Sequence, residues 1–138
     1  MKKICLLLIL ALVLSACQSV HEEMTVLDNI SGISISKSGG YGAINDDFFM
    51  SISEEKVIND FEEVLKRATG QKHDIIVSDE KPYYDLLVSY EDGSTHLLHL
   101  ILGSEGQESI FMYVGHEKNG FYVSTEDTKI LRDILKLQ

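Results

Sequence analysis

Apolar positions fall in three regimes along the 138-residue chain. From Ile4 to Leu14 they are continuous, eleven residues without a polar side chain. From Gln18 to Asn29 (QSVHEEMTVLDN) they show no period, which reads as a short tether. Beyond that they are periodic. Ile33 and Ile35 alternate with Ser34 and Ser36, predicting a strand that runs to Lys37 and is broken by Ser38–Gly42. Asp47–Ser53 (DFFMSIS) puts Phe48, Met50 and Ile52 on one face of a second strand, and the two could form a hairpin with a long loop. The period then changes. Val57, Phe61, Val64, Leu65 and Ala68 fall at helical spacing, with Ser53 as N-cap, Glu54 and Glu55 in the first turn, and Gly70 as the stop. Asp74–Ser78 (DIIVS) reads as a short strand.

The second half is a meander. Tyr84, Leu86, Val88 and Tyr90 alternate with Asp85, Leu87, Ser89 and Glu91. Asp92-Gly93 signals a two-residue turn with both positions at positive φ. Thr95–Leu102 returns, Gly103–Gly106 turns, and Ile110, Met112 and Val114 set a third strand with Phe111 and Tyr113 on its other face. Asn119-Gly120 is a second tight-turn signal before Phe121–Ser124. Ser124 and Asp127 hold capping-box positions for a last helix, whose apolar face is Ile130, Leu131, Ile134 and Leu135. Two amphipathic helices need a sheet face to cover. The expectation is an α+β domain over residues 30–138: a mostly antiparallel sheet, made of an N-terminal hairpin and a four-strand meander, with both helices on one face. Strand order is left open.

The apolar run changes the picture of where the domain works. At 1.5 Å per residue it spans about 16 Å, roughly half a bilayer core, too short for a spanning helix. Lys2 and Lys3 before it and small residues after it are the parts of an export signal. Leu14-Ser15-Ala16-Cys17 resembles the lipobox of bacterial lipoproteins. That resemblance implies cleavage between Ala16 and Cys17, so that residues 1–16 are signal and 17–29 the lipidated tether. It also implies a diacylglycerol on the Cys17 sulfur, with an N-acyl chain as a further option. The chain is then expected at the cell membrane, held in the bilayer through Cys17 and facing the extracytoplasmic side. Two acyl chains hold a protein where one gives marginal binding. Cys5 lies in the signal, so the mature chain has no cysteine pair, and the fold must rest on its core.

Charge narrows the partners. After Cys17, ten basic residues face 22 acidic ones, a net −12 with histidine neutral. Such a charge excludes nucleic acid as a partner, since phosphates would be repelled. It also keeps the domain off an anionic lipid surface. Attraction for a divalent cation or a basic protein remains open.

The segments GISISKSGGYGAINDDFFMSISEEKVINDFEEVL, YDLLVSYEDGSTHLLHLILG and FMYVGHEKNGFYVSTEDTKILRDIL together resemble the YhfM-like domain of small bacillus lipoproteins. The resemblance implies a lipoprotein of a Gram-positive, single-membrane cell. It brings no activity and no site residue.

Candidate chemistry is sparse. His96 and His99 in THLLHL would share a face on a helix, but on the strand expected here they point apart, which removes a two-histidine metal site. One is expected half-buried in the sheet and the other on its open face. His116 reads as a surface residue. Ser104 in GSEG does not fit a nucleophile elbow. Glu54, Glu55, Glu62 and Glu63 read as a solvated helix face. The tyrosines Tyr83, Tyr84, Tyr90, Tyr113 and Tyr122 fit either half-buried sheet packing or a contact surface. The most unusual stretch is Gly39–Asp47, where Tyr41, Asn45, Asp46 and Asp47 form a candidate binding loop without EF-hand or phosphate-loop spacing. The residues carry no catalytic signature, no metal site and no cofactor other than the covalent lipid. They favour a non-enzymatic module that binds another envelope protein; a small-ligand or cation-binding surface protein is the alternative.

Overall fold

The computed structural model describes residues 22–26, 28–70 and 80–136. Cys17, and with it the expected cleavage and lipid site, lies outside the described residues, as does the strand expected at Asp74–Ser78.

Among the described residues, eight strands form one antiparallel sheet: β1 (Glu22–Glu23), β2 (Ile30–Lys37), β3 (Phe48–Ile52), β4 (Thr69–Gly70), β5 (Tyr84–Tyr90), β6 (Thr95–Ile101), β7 (Ser109–Tyr113) and β8 (Gly120–Val123). Their order is β1-β4-β8-β7-β6-β5-β2-β3. The meander β5 to β8 is therefore the middle of the sheet, and β2 docks against β5 with the β3 hairpin outside it. The helices of the described residues, α1 (Glu55–Arg67) and α2 (Thr125–Ile134), complete the α+β fold.

Alternation decides the layers. Ile33 pairs with Val88, Ile35 with Leu86, Leu86 with Leu98 and Leu100 with Phe111, so one face of the sheet is a continuous apolar surface. Phe61, Val64 and Leu65 of α1 and Leu131 of α2 join it in a single core. Phe61 and Phe111 meet edge to face, with centroids 5.9 Å apart. The helices are clamped by Arg67, whose Nε and Nη2 donate to the two oxygens of Asp127 at 3.0 and 2.8 Å. The Asp127 backbone N–H donates in turn to Ser124 Oγ at 3.1 Å, the expected cap of α2.

Several local details differ from the sequence reading. Helix α1 begins after Glu54, which makes no side-chain cap bond, rather than after Ser53. It ends at an extended Ala68, and Gly70 lies in β4 instead of serving as a stop. The β5–β6 turn occupies four residues, 91–94, and only Gly93 takes positive φ. The Asp92 carboxylate accepts the Ser94 backbone N–H at 2.8 Å, which closes the turn without a left-handed Asp92. Asn119-Gly120 ends a six-residue connection, 114–119, whose positive φ is at Gly115. Glu22–Glu23, within the stretch read as tether, pair with β4, and Met24 is buried.

Gly103 anchors α2 to the sheet. Its N–H donates to Ser109 Oγ at 2.9 Å, Ser109 Oγ meets Thr128 Oγ1 at 2.9 Å, and Arg132 donates to the Gly103 carbonyl at 3.2 Å. A Cβ at this position would stand 2.3 Å from the Glu108 carbonyl oxygen, a backbone atom that cannot rotate away. Gly103→Ala is expected to destabilise the domain by about 1–3 kcal/mol, read as a lower urea midpoint with unchanged slope.

Candidate functional site

On strands β5 and β6, Asp85 and His99 are cross-strand neighbours on the face away from the helices. Both are fully buried. His99 Nδ1 lies 2.7 Å from Asp85 Oδ1. The other carboxylate oxygen accepts the Asn45 backbone N–H at 2.7 Å. This asparagine belongs to the loop between β2 and β3, so a charged side chain in mid-sheet holds that loop down.

The loop is tied at further points. Ser36 Oγ donates to the Asn45 carbonyl at 2.5 Å, and Asn45 Nδ2 donates to the Lys37 carbonyl at 2.8 Å. Tyr41 sets its ring edge-on to the His99 imidazole at 6.0 Å, and its hydroxyl donates to the Glu80 carbonyl at 2.8 Å. Gly40 and Gly42 take positive φ, the conformation that lets so short a segment double back over the strands. Loss of water around the Tyr41 hydroxyl, with Glu80 and Glu117 near it, raises its pKa.

The far side of the imidazole is different. His99 Nε2 is buried and makes no hydrogen bond among the described residues. Glu117 Oε1, from the β7–β8 connection, stands 3.6 Å from it. The Gly115 N–H donates to that same oxygen at 2.8 Å. This bond above all holds the Glu117 carboxyl below its usual range. With Nδ1–H given to Asp85, Nε2 is an acceptor. With a second proton it becomes a donor toward Glu117. His99 and Glu117 supply two metal-ligand atoms, but no group of three or more His, Cys, Asp or Glu side chains converges among the described residues.

The candidate loop is thus divided. Tyr41 and Asn45 are drawn onto the Asp85–His99 pair. The Asp46 and Asp47 side chains are exposed and take no part in it. Asp85, His99 and Glu117 were not singled out together from sequence. The available signal was a charged residue at an alternating position of an otherwise apolar strand, facing a histidine of the next strand in register across the Asp92-Gly93 turn.

The two histidines do point to opposite faces. The division expected for them is corrected, because His99, away from the helices, is fully buried rather than open. The Tyr41 loop covers it. His96 is half-buried on the helix side, 2.8 Å from the Tyr90 hydroxyl and stacked edge-on with Tyr113. Burial pushes its imidazole below its ordinary pKa. The fold thus favours neutral His96, and this contribution is present above the unfolded value near 6.5 and lost as pH falls toward the folded one. The urea midpoint is expected to drop between pH 7.5 and 5.5, and His96→Gln to flatten that slope. An equal slope in the variant would exclude His96 as its source.

Open clefts lie elsewhere among the described residues. One, of about 660 Å³, is lined by Asp28, Ser31, Glu55, Asn59, Glu62 and Glu91 among others. A smaller one of about 280 Å³ runs along β3 beside Val57 and Ile134.

The chain is defined by this arrangement as a small α+β domain whose mid-sheet Asp–His pair is sealed by a loop. It belongs to the YhfM family, whose model matches residues 29–138. No curated protein matches it. Among solved structures it is similar to a thioesterase-like protein from Clostridium sporogenes ATCC 15579, at 18% identity and a TM-score of 0.57, covering 78% of this chain and 95% of that one. That likeness is one of fold.

Proposed function

We propose that this chain is a lipid-anchored, extracytoplasmic module that binds another protein of the cell envelope and performs no catalysis. The observation that carries the reading is what the face away from the helices offers to solvent. Its titratable pair is closed in, while Tyr41, Tyr83 and Leu97 stand exposed at 40%, 51% and 37%. Tyrosines with part of the ring exposed make effective contact surface at low entropic cost. The name of the Clostridium neighbour raises thioester hydrolysis. Against it, a His99 Nε2 behind Tyr41 offers no substrate a way in while the loop is seated. Anchoring through Cys17 rests on the lipobox.

The test is cross-linking on intact cells followed by mass spectrometry of the purified lipidated protein. One envelope protein should be recovered, with recovery falling in Tyr41→Ser and Tyr83→Ser strains and in an unanchored Cys17→Ala strain. Recovery indifferent to both tyrosines, or turnover of acyl thioesters that is lost in His99→Gln, would overturn the reading. A second reading, binding of a cation or small polar ligand, is favoured by the acidic cleft around Glu55, Glu62 and Glu91. A thermal shift with Ca²⁺ that disappears in Glu62→Gln would support it.

A further inference from the structure

The stretch DDFFMSISEE spans β3 and its two ends. In the sheet, β3 is an outermost strand, paired with β2 on one side and with no strand on the other among the described residues. Among the described residues, its outer backbone N–H and C=O groups form an open ladder. Phe49 sits at a bulge and is 52% exposed. Met50 and Ile52 are only half-buried, and with Val57 and Ile134 they line the groove of about 280 Å³ beside the strand. Open ladder and adjacent side-chain groove are the two requirements for adding an extended peptide to a sheet.

Charge says which peptide. Asp46-Asp47 precede the strand and Glu54-Glu55 follow it. None of these four carboxylates is in an ion pair among the described residues, whereas Asp60, Glu62, Glu63, Asp127 and Asp133 all are. Lys56, next to Glu55, is paired with Asp60 and feels Glu54 only weakly. Lys37 is directed over the Tyr84 and Phe49 rings, and Lys136 lines the end of the groove. A second copy of this chain would bring acid against acid at both ends of the strand, whether it ran parallel or antiparallel. We infer that the outer edge of β3 receives an extended segment of another protein with alternating apolar residues in its middle and basic residues at both ends. This surface is separate from the one around Tyr41.

The probe is a fluorescent nine-residue peptide of alternating valine and threonine with two lysines at each end. It is titrated into the full chain purified in detergent and followed by anisotropy. Saturable binding that weakens with salt is expected. Asp47→Lys with Glu54→Lys should weaken it about tenfold, since two attractive cross-strand pairs become repulsive, and should create binding for the same peptide ended in glutamates. Both substitutions lie on exposed positions, and circular dichroism checks that the variant is folded. Tyr41→Ser should leave the affinity unchanged, which separates this edge from the proposed envelope contact. Failure of the lysine peptide to bind, equal binding by the charge-reversed protein, or a concentration-dependent dimer blocked by the peptide would overturn the inference.

Discussion

Asp85→Ala is expected to cost about 3–5 kcal/mol of stability, because it leaves two buried donors, the His99 ring and the Asn45 N–H, without their acceptor. Asp85 accepts from both the imidazole and the Asn45 N–H, so one substitution removes the anchor of a whole loop. Urea unfolding should show a midpoint far below that of the parent. Hydrogen exchange should show the Asn45 amide losing its protection in the folded variant. Replacing both members by leucine should recover part of the loss, since a buried pair is often no more stabilising than well-packed apolar residues of similar size. A loss under about 1 kcal/mol for Asp85→Ala would mean that the carboxylate is solvated in solution and the loop is held by its other bonds.

Phe61→Ala should be as damaging, at about 3–5 kcal/mol. Phe61 is 1% exposed and stands where α1 meets the sheet, against Phe111 at 0%. Alanine leaves a void bounded by β-strand backbone on one side, which collapses poorly. The cost should appear in the urea midpoint, and Phe61→Leu should recover more than half of it. A cost near that of a surface change would place α1 off the sheet in solution.

Phe61 was legible and Asp85 was not, and the reason is physical. A helix announces its buried face through a 3.6-residue period, so Phe61, Val64 and Leu65 could be assigned to the core from spacing alone. The alternation around Asp85 was equally clear, and it placed Asp85 correctly on the face away from the helices. What alternation cannot say is whether that face is wet. A loop distant along the chain settles it, because Ser36, Asn45 and Tyr41 cover what would otherwise be solvated positions. The oddness of Gly39–Asp47 in composition did mark this loop as special. It did not reveal that two of its four candidate residues turn inward. The turn signals were right in place and wrong in length, since Asp92 closes its turn through its side chain rather than its own φ. In sequence Gly103 reads as a turn glycine, whereas its role comes from the approach of the Glu108 carbonyl, which no local pattern encodes. The capping pair Ser124 and Asp127 is legible in sequence, but its second role is not, since the bond to Arg67 spans sixty positions.

The position of β2 between β3 and β5 has a kinetic consequence. The turns of β5 to β8 join strands that are neighbours along the chain, so these contacts close short loops and can form early. The β2–β3 hairpin is local too. Joining the two units is not, because Ile35 must find Leu86 across fifty intervening residues. Until it does, the hairpin and the meander each present an unpaired hydrophobic edge at β2 and β5. That docking step, rather than any turn or helix, is where the rate of folding and the exposure of the chain to misassembly should be decided.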